Sequence, residues 1–465
     1  MVARLAAQGL APARVVEPSC GQGAFLAAAA AAWPAARLEG HDINPAYVAD
    51  AQRQTPAASV QVTDFFTADW DGLLGGAGEL LVLGNPPWVT SADLSALGSA
   101  NRPARANTEA MPGMEAITGR GNFDVSEWML LKLLRSLAGR PFTLAMLCKR
   151  SVARRVLAHA AQGALPVRGQ LHRIDAPSHF GASVAAVLLT LSHSPTPAPP
   201  PRWPVYASLS DEAPAAVLGL VGGQLTADTD AFARTAHLSG ACTPEWRSGI
   251  KHDCARVMEL RGAAPSLVSR VDGPVSLENA YVYPFMKGSD VFRGRWPPQR
   301  SVVVPQQRIG QETRSIAQRA PKTWAYLQRH RLALGSRKSR IYRGRPEFSV
   351  FGVGDYSFTP WKVLVAGLYK GLQFRLVGPH DGKPVVVDDT CYLLPFDDEE
   401  TARAAHAALS SAAASAFFEA RVFWDDKRPV NKQLLQALDL QRLVQGTTAA
   451  GPVSQSSTPT PQASP

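Results

Sequence analysis

The sequence predicts an α/β protein: a mainly parallel sheet covered by helices on both faces, followed by an α+β domain. Three observations lead there. Through residue 193, short apolar runs alternate with helical patterns, the rhythm of parallel strands joined by crossover helices. A Pro-rich stretch, SPTPAPPPRWP (194–204), then interrupts that rhythm. Beyond it the strand-like pieces are irregularly spaced and the charge turns strongly basic.

Taken in order, RVVEPS (14–19) reads as the first strand and AFLAAAAAAW (24–33) as an Ala-rich helix. RLEGHDI (37–43) reads as a strand, PAYVADAQRQ (45–54) as a helix and SVQVTD (59–64) as a strand. ELLVLG (79–84) is the next strand, and VSEWMLLKLLRSLAG (125–139) a helix. FTLAMLC (142–148) and AAVLLTLS (185–192) complete the strands of the first half. In the second half SVVVPQ, FSVFGVG, KVLVAGLY and PVVVDDTCYLL read as strands, and residues 399–419 as a helical stretch. The expected division is a catalytic domain over 1–193, a Pro-rich linker over 194–206, a second domain over 207–445 and a disordered tail over 446–465.

With 46% hydrophobic and 18% charged residues among 465, the chain has enough apolar surface for a substantial core. Its net charge of +10 is unevenly spread. Between Lys287 and Arg345, 15 Lys and Arg face only Asp290 and Glu312, a local excess of +13 (15 − 2). Such a concentration points to a polyanionic partner. The five cysteines, Cys20, Cys148, Cys242, Cys254 and Cys391, form no CxxC pair, which argues against zinc-ligand spacing and a disulfide framework. His252, Asp253 and His330 lack ligand spacing, so no metal is assigned. MVARLAAQGL lacks a signal-peptide core, and no apolar run is long enough to span a bilayer. A cytoplasmic protein without a membrane partner is expected.

Candidate site residues gather at strand ends, where ligands sit in sheets of this kind. In EPSCGQGAFL (17–26), Gly21 and Gly23 let the backbone approach a ligand at a strand–helix junction. The next strand ends in GHDIN, placing Asp42 about 20 residues downstream, the offset of a ribose-binding acid. The third ends in TDFF, where Asp64 suits an adenine amino group and Phe65 the ring. Each of these alone reads equally well as a tight turn, a helix cap or core packing. Three in register are harder to assign to coincidence. The fourth strand runs into NPPW, Asn85 to Trp88, where two prolines stiffen the backbone and fix a carbonyl's direction.

EPSCGQGAFL, GHDIN, VTDFF and LVLGNPPWV, in that order, resemble class I S-adenosylmethionine-dependent N6-adenine DNA methyltransferases of the restriction-modification type. The cofactor motif precedes the catalytic one, as in the gamma class. The resemblance implies a Rossmann-like catalytic sheet, S-adenosylmethionine as cofactor, double-stranded DNA as partner and a target-recognition domain in the second half. It implies that Glu17 holds the start of the cofactor loop and that Cys20, Gly21 and Gly23 line it. Asp42 would bond the cofactor ribose and Asp64 its adenine. GNFDVSEWMLLKLL resembles the segment whose Phe123 and Asp124 close over the cofactor, and HFGASVAAVLLTL the one that sets Phe180 beside an extruded base. Members of the family carry a further cofactor-contacting segment upstream, beginning near a Thr-Pro. The 16 residues before Glu17 do not hold it, which implies weaker cofactor binding or an earlier start.

The exocyclic amine of adenine is a poor nucleophile because its lone pair is conjugated into the ring. Two acceptors on its N–H groups, the Asn85 side-chain oxygen and the Pro86 carbonyl, would draw it towards tetrahedral geometry, with Pro87 holding the turn. Trp88 offers a stacking face worth on the order of 1–3 kcal/mol, which offsets part of the cost of flipping a base. Asn rather than Ser in first position favours adenine N6 over cytosine N4.

The basic stretch interleaves aromatics with its charges in YVYPFMKGSDVFRGRW, WAYLQRHR and SRKSRIYRGRPEFSVFG. Candidate DNA contacts are Lys251, Lys287, Arg293, Arg337, Lys338, Arg340 and Arg343. The expected enzyme is a monomer, and a separate restriction endonuclease would supply any cleavage, since no nuclease signature is present. Two alternatives stay open: an N-methyltransferase acting on RNA or protein glutamine, and a nucleic-acid binder with a weakened catalytic half.

Overall fold

The computed structural model describes residues 1–90, 124–181, 183–194 and 200–449. The chain forms two compact units, Met1–Asp230 and Ala231–Pro465.

The first unit is built on a ten-stranded sheet. Its strands are β1 (Arg14–Glu17), β2 (Arg37–Asp42), β3 (Ser59–Val62), β4 (Leu80–Gly84), β5 (Phe142–Lys149), β6 (Val167–Ile174), β7 (Ala186–His193), β8 (Arg202–Tyr206), β9 (Ala216–Val221) and β10 (Gln224–Thr226). The spatial order is β3-β2-β1-β4-β5-β7-β6-β8-β9-β10. Strands β1 to β5 are parallel, and β7 runs antiparallel between β5 and β6. The chain leaves β1 towards β2 and β3, then returns to β4 on the other side. Neighbouring β1 and β4 therefore form a topological switch point, where their carboxyl ends open a crevice.

Local chemistry explains these elements. β4 is LLVLG and wholly buried, as a central strand covered on both faces must be. The helix Pro45–Gln54 starts where Asn44 caps it, its side chain accepting from the Ala46 amide at 3.0 Å. Gly23 starts the helix Ala24–Ala32 at φ +87°, and a Cβ there would lie 2.8 Å from the Ala51 Cβ. Only glycine lets the two helices meet that closely. Val15, Leu26, Leu38, Leu81, Leu83, Ala145, Leu147 and Leu188 form the core between sheet and helices.

The boundary between units differs from the sequence expectation. The end of the Pro-rich stretch is strand β8, which pairs in parallel with β6, and β9 and β10 extend the same sheet. Residues 202–226 thus belong to the first unit, and the division falls at Asp230 rather than in a 194–206 linker. Pro204 lies one residue before β8 begins to pair with β6 at Val205, where its missing N–H donor costs the ladder least. β6 and the helix Arg150–Gln162 were not anticipated, because VRGQLHRI mixes Gly and charge into a weak alternation.

The second unit holds a four-stranded and a six-stranded sheet. In the smaller, Cys391–Phe396 and Trp361–Ala366 are central and antiparallel. In the larger, Glu259–Arg261 and Arg300–Val303 pair with Val282–Met286 beyond them. FSVFGVG forms no strand; only Phe351 pairs there, as an isolated bridge to Lys251. The 399–419 stretch is two helices, Glu399–Leu409 and Ala412–Glu419, because Ser411 caps the second by accepting from the Ala414 amide. The last helix, Leu440–Ala449, runs past 445, and residues 450–465 of the expected tail lie outside the described residues. No helix among the described residues is long and apolar enough to cross a membrane.

Lys362, on Trp361–Ala366, is buried in the second unit, and among the described residues its ammonium donates to the Thr359 carbonyl alone. Burial pulls its pKa down to about 7 from an ordinary 10.5. The unfolded chain therefore binds one more proton between those values, and stability rises with pH across that window. Lys362→Met should raise the melting temperature by about 5 °C or more at pH 7, a gain that fades as pH approaches 10.5. Melting curves at both ends of the window check this, and a pH-independent difference would contradict it.

Candidate active site at the ends of β1 and β4

Val16 on β1 lies opposite Val82 on β4. Just beyond that pair, a Cβ at Gly84 would sit 3.7 Å from the Cγ of Glu17. Asn85 follows directly, exposed, and no described group hydrogen-bonds its amide. Pro86 is buried and Pro87 exposed. Trp88 is half-buried against the core and donates its indole N–H to the Leu147 carbonyl on β5 at 3.3 Å. Its ring meets Phe180 edge-on, with centroids 5.6 Å apart at 78°. Phe180 ends the short helix Ala176–Phe180 and is 45% exposed. Two residues 92 positions apart (180 − 88) thus form one aromatic corner, three residues along the chain from Asn85.

At the glycine turn, Asp42 is the organising acid. One carboxylate oxygen accepts from the Gly21 amide and the other from the Asn44 amide, both at 2.9 Å. The cap on the following helix is Asn44, so Asp42 is not a helix cap. Gly21 adopts φ +52° with open space where a Cβ would point. Cys20 is buried instead: its amide donates to the His41 carbonyl at 2.8 Å, and burial pushes the thiol up to about 12, with Glu17 and Asp42 adding to the effect. It packs the loop rather than reacting.

Glu17 is 2% exposed, and its Oε2 has no partner among the described residues. Burial holds its pKa well above the carboxylate range; the Leu26 amide opposes this and Asp42 reinforces it. A buried acid with an unused oxygen, beside an open glycine turn and an acid with both oxygens ordered, fits a hydroxyl-bearing, positively charged ligand. Those are the features of S-adenosylmethionine.

Two expectations are corrected. Phe65 is 6% exposed, with Trp70 at 4.8 Å and Trp128 at 6.3 Å from its ring centre, so it is core and not a ligand face. The neighbouring Phe66 is half-buried, and its amide donates to Asp64 Oδ1 at 2.9 Å. Both rings lie in the turn after β3, where strand alternation gives no guide to which of them is buried, and Phe66 rests its edge on Trp128 at 5.3 Å. The Asp124 carboxylate, expected to close over the cofactor, is already engaged within the fold. It caps the helix Val125–Ser136 through the Ser126 amide, at 3.1 Å, and pairs with Lys149 at 2.8 Å. With Val125 donating to the Val89 carbonyl at 3.0 Å, it fastens the chain after Trp88. Phe123 lies outside the described residues.

The seven basic candidates of the second unit separate into two groups. Lys251 pairs with Asp253 at 3.1 Å and Asp389 at 3.5 Å, and Lys287 with buried Glu259 at 2.8 Å. Arg337 is half-buried and donates to main-chain carbonyls. These three serve the fold, a correction to their expected role. Arg293, Lys338, Arg340 and Arg343 are exposed, and no described acid pairs with them.

No family model matches the chain. Among curated proteins, the type II methyltransferase M.NspV of Nostoc sp. (strain ATCC 29411 / PCC 7524) is 37% identical over 453 residues, covering 95% of this chain and 93% of that protein. The chain belongs to the type II methyltransferase family. Among solved structures, the type IIL restriction-modification enzyme MmeI in complex with DNA matches with a TM-score of 0.54 at 12% identity. That match covers 92% of this chain and 62% of the other, a likeness of fold. The methyl donor of this methyltransferase is S-adenosylmethionine, which when bound supplies an electrophilic sulfonium methyl group.

The Glu17 carboxyl gives a test of this site. A cationic cofactor favours its ionised form, so binding should release a proton and strengthen as pH rises, until Glu17 is already ionised in the free protein. Calorimetry in buffers of different ionisation enthalpy should report proton release by the wild type and its loss in Glu17→Gln. Equal proton counts would contradict the assignment.

Proposed function

We propose that this methyltransferase transfers a methyl group to the N6 amine of an adenine flipped out of a specific DNA duplex sequence. The observation that carries the reading is the Asn85 amide, exposed and without a partner among the described residues, one position after Gly84, which neighbours Glu17, and three before Trp88 of the Trp88–Phe180 pair. In this reading the Asn85 Oδ1 and the Pro86 carbonyl accept the two N–H bonds of the amine, and its lone pair turns towards the donor crevice. Buried Pro86 holds its carbonyl direction before substrate arrives, so little reorganisation remains for the reaction. Trp88 and Phe180 flank the base, one on its face and one at its edge.

Gly21 and Gly23 shape the cofactor turn, Asp42 holds the ribose, and Asp64 uses its remaining oxygen on the adenine amino group. Phe66 replaces Phe65 as the ring beside that adenine. The exposed cations of the second unit supply the duplex contacts, which a glutamine methyltransferase would not need. Cleavage, in this reading, belongs to a separate endonuclease, and the enzyme works as a cytoplasmic monomer.

Asn85→Ala should lower the rate by about 10²–10³-fold or more while duplex affinity stays near wild type. Single-turnover methylation with a parallel binding titration checks this, and retained turnover would exclude the acceptor role. Nucleoside mass spectrometry of methylated duplex should find N6-methyladenine. N4-methylcytosine, or product only on RNA or protein, would overturn the choice of base or substrate.

A further inference from the structure

The segment SRKSRIYRGR (336–345) is the densest run of positive charge in the chain, and its side chains divide sharply. Two turn inward. Arg337 donates from Nε to the Leu334 carbonyl at 2.7 Å, and from one terminal nitrogen to the carbonyls of Ser349 at 2.6 Å and His252 at 3.2 Å. Its guanidinium lies over the Tyr342 ring, 3.7 Å from the centroid. The Tyr342 hydroxyl donates to the Lys251 carbonyl at 3.2 Å, and its ring meets Phe351 edge-on at 5.6 Å.

The surface these residues grip is itself fixed. Lys251 and Phe351 exchange both main-chain hydrogen bonds, at 2.8 and 2.9 Å. A Cβ at Gly352, which has φ +66°, would lie 2.1 Å from the Gly249 carbonyl oxygen, so the two segments pass at a distance only glycine permits.

The exposed charged side chains are all cationic. Lys338, Arg340 and Arg343 are exposed and unpaired by any described acid. The acids nearby are already engaged: Asp253 with Lys251, and Glu347 with Arg331. Arg337 bonds to carbonyls rather than a carboxylate, so its charge is not cancelled either and adds to the field at the surface.

We propose that residues 336–345 are a preformed phosphate-anchoring loop. Lys338, Arg340 and Arg343 contact backbone phosphates of a nucleic-acid duplex, and Arg337 is the positioning residue that holds them in place. This rests on the reading of the second unit as the DNA-binding half, and deepens it by assigning the loop to register rather than base choice. Holding the loop's backbone in place before binding reduces the ordering cost that three long cationic side chains on a free loop would impose. Phosphate contacts orient a protein on a duplex without reading sequence, whichever element reads the bases.

The test is the salt dependence of binding by the full chain to a random-sequence DNA duplex. Each phosphate contact contributes about 0.9 to the slope of log K against log salt. The Lys338→Gln, Arg340→Gln, Arg343→Gln triple variant, altered only at exposed positions, should flatten the slope by about 2–3. Arg337→Met should flatten it too, although Arg337 touches no phosphate, and Arg337→Lys should not rescue it, since an ammonium cannot replace the planar grip. Melting curves show whether the Arg337 variants fold; if they do not, the triple variant alone decides. A wild type that binds with a slope the triple variant leaves unchanged overturns the loop assignment alone. A wild type that binds no duplex overturns the loop and the DNA reading together.

Discussion

The register of β4 against β1 is the constraint on which the site depends. Parallel pairing sets Val16 opposite Val82, so the chain exits both strands at the same level. On one side it turns through Cys20 to Gly23, and on the other through Asn85 to Trp88. A slip of one residue would invert the facing of every β4 side chain and carry Asn85 away from Glu17. LLVLG is buried on both faces, so a slip would set every one of its side chains into packing shaped for its neighbour.

Around this pair the chain adds fasteners rather than reactive groups. Asp42 ties the glycine turn to the end of β2, and the Asp124–Lys149 pair ties the segment after Trp88 to β5. The Trp88 indole makes a second tie to β5 through Leu147. Cys20 is held as a neutral thiol by its burial. Nothing in this set needs to form a bond with substrate. The arrangement suits a reaction in which the protein positions two partners and excludes alternatives, with the leaving group built into the donor.

Much of this was legible in the sequence, for identifiable reasons. The helix 45–54 was placed to the residue because Asn44 and Pro45 announce its start. NPPW stood out because two prolines after a buried strand have few structural uses. What stayed hidden depended on contacts distant along the chain. Lys251, Lys287 and Arg337 look like any other basic residues until Asp389, Glu259 and the Ser349 carbonyl arrive from elsewhere. Likewise the +13 stretch is reduced by acids outside it, Glu259, Asp272, Glu347 and Asp355 among them. β8 was concealed because Pro-rich composition usually marks a spacer, whereas Pro204 sits where the strand's pairing with β6 has not yet begun.

A crystal structure of the protein with a non-reactive cofactor analogue and its target duplex tests the central claim most directly. The account expects the flipped adenine's exocyclic nitrogen within hydrogen-bonding distance of both Asn85 Oδ1 and the Pro86 carbonyl, facing the crevice above Gly21. An amine held by other groups, or a target base seated away from the β4 end, would contradict it.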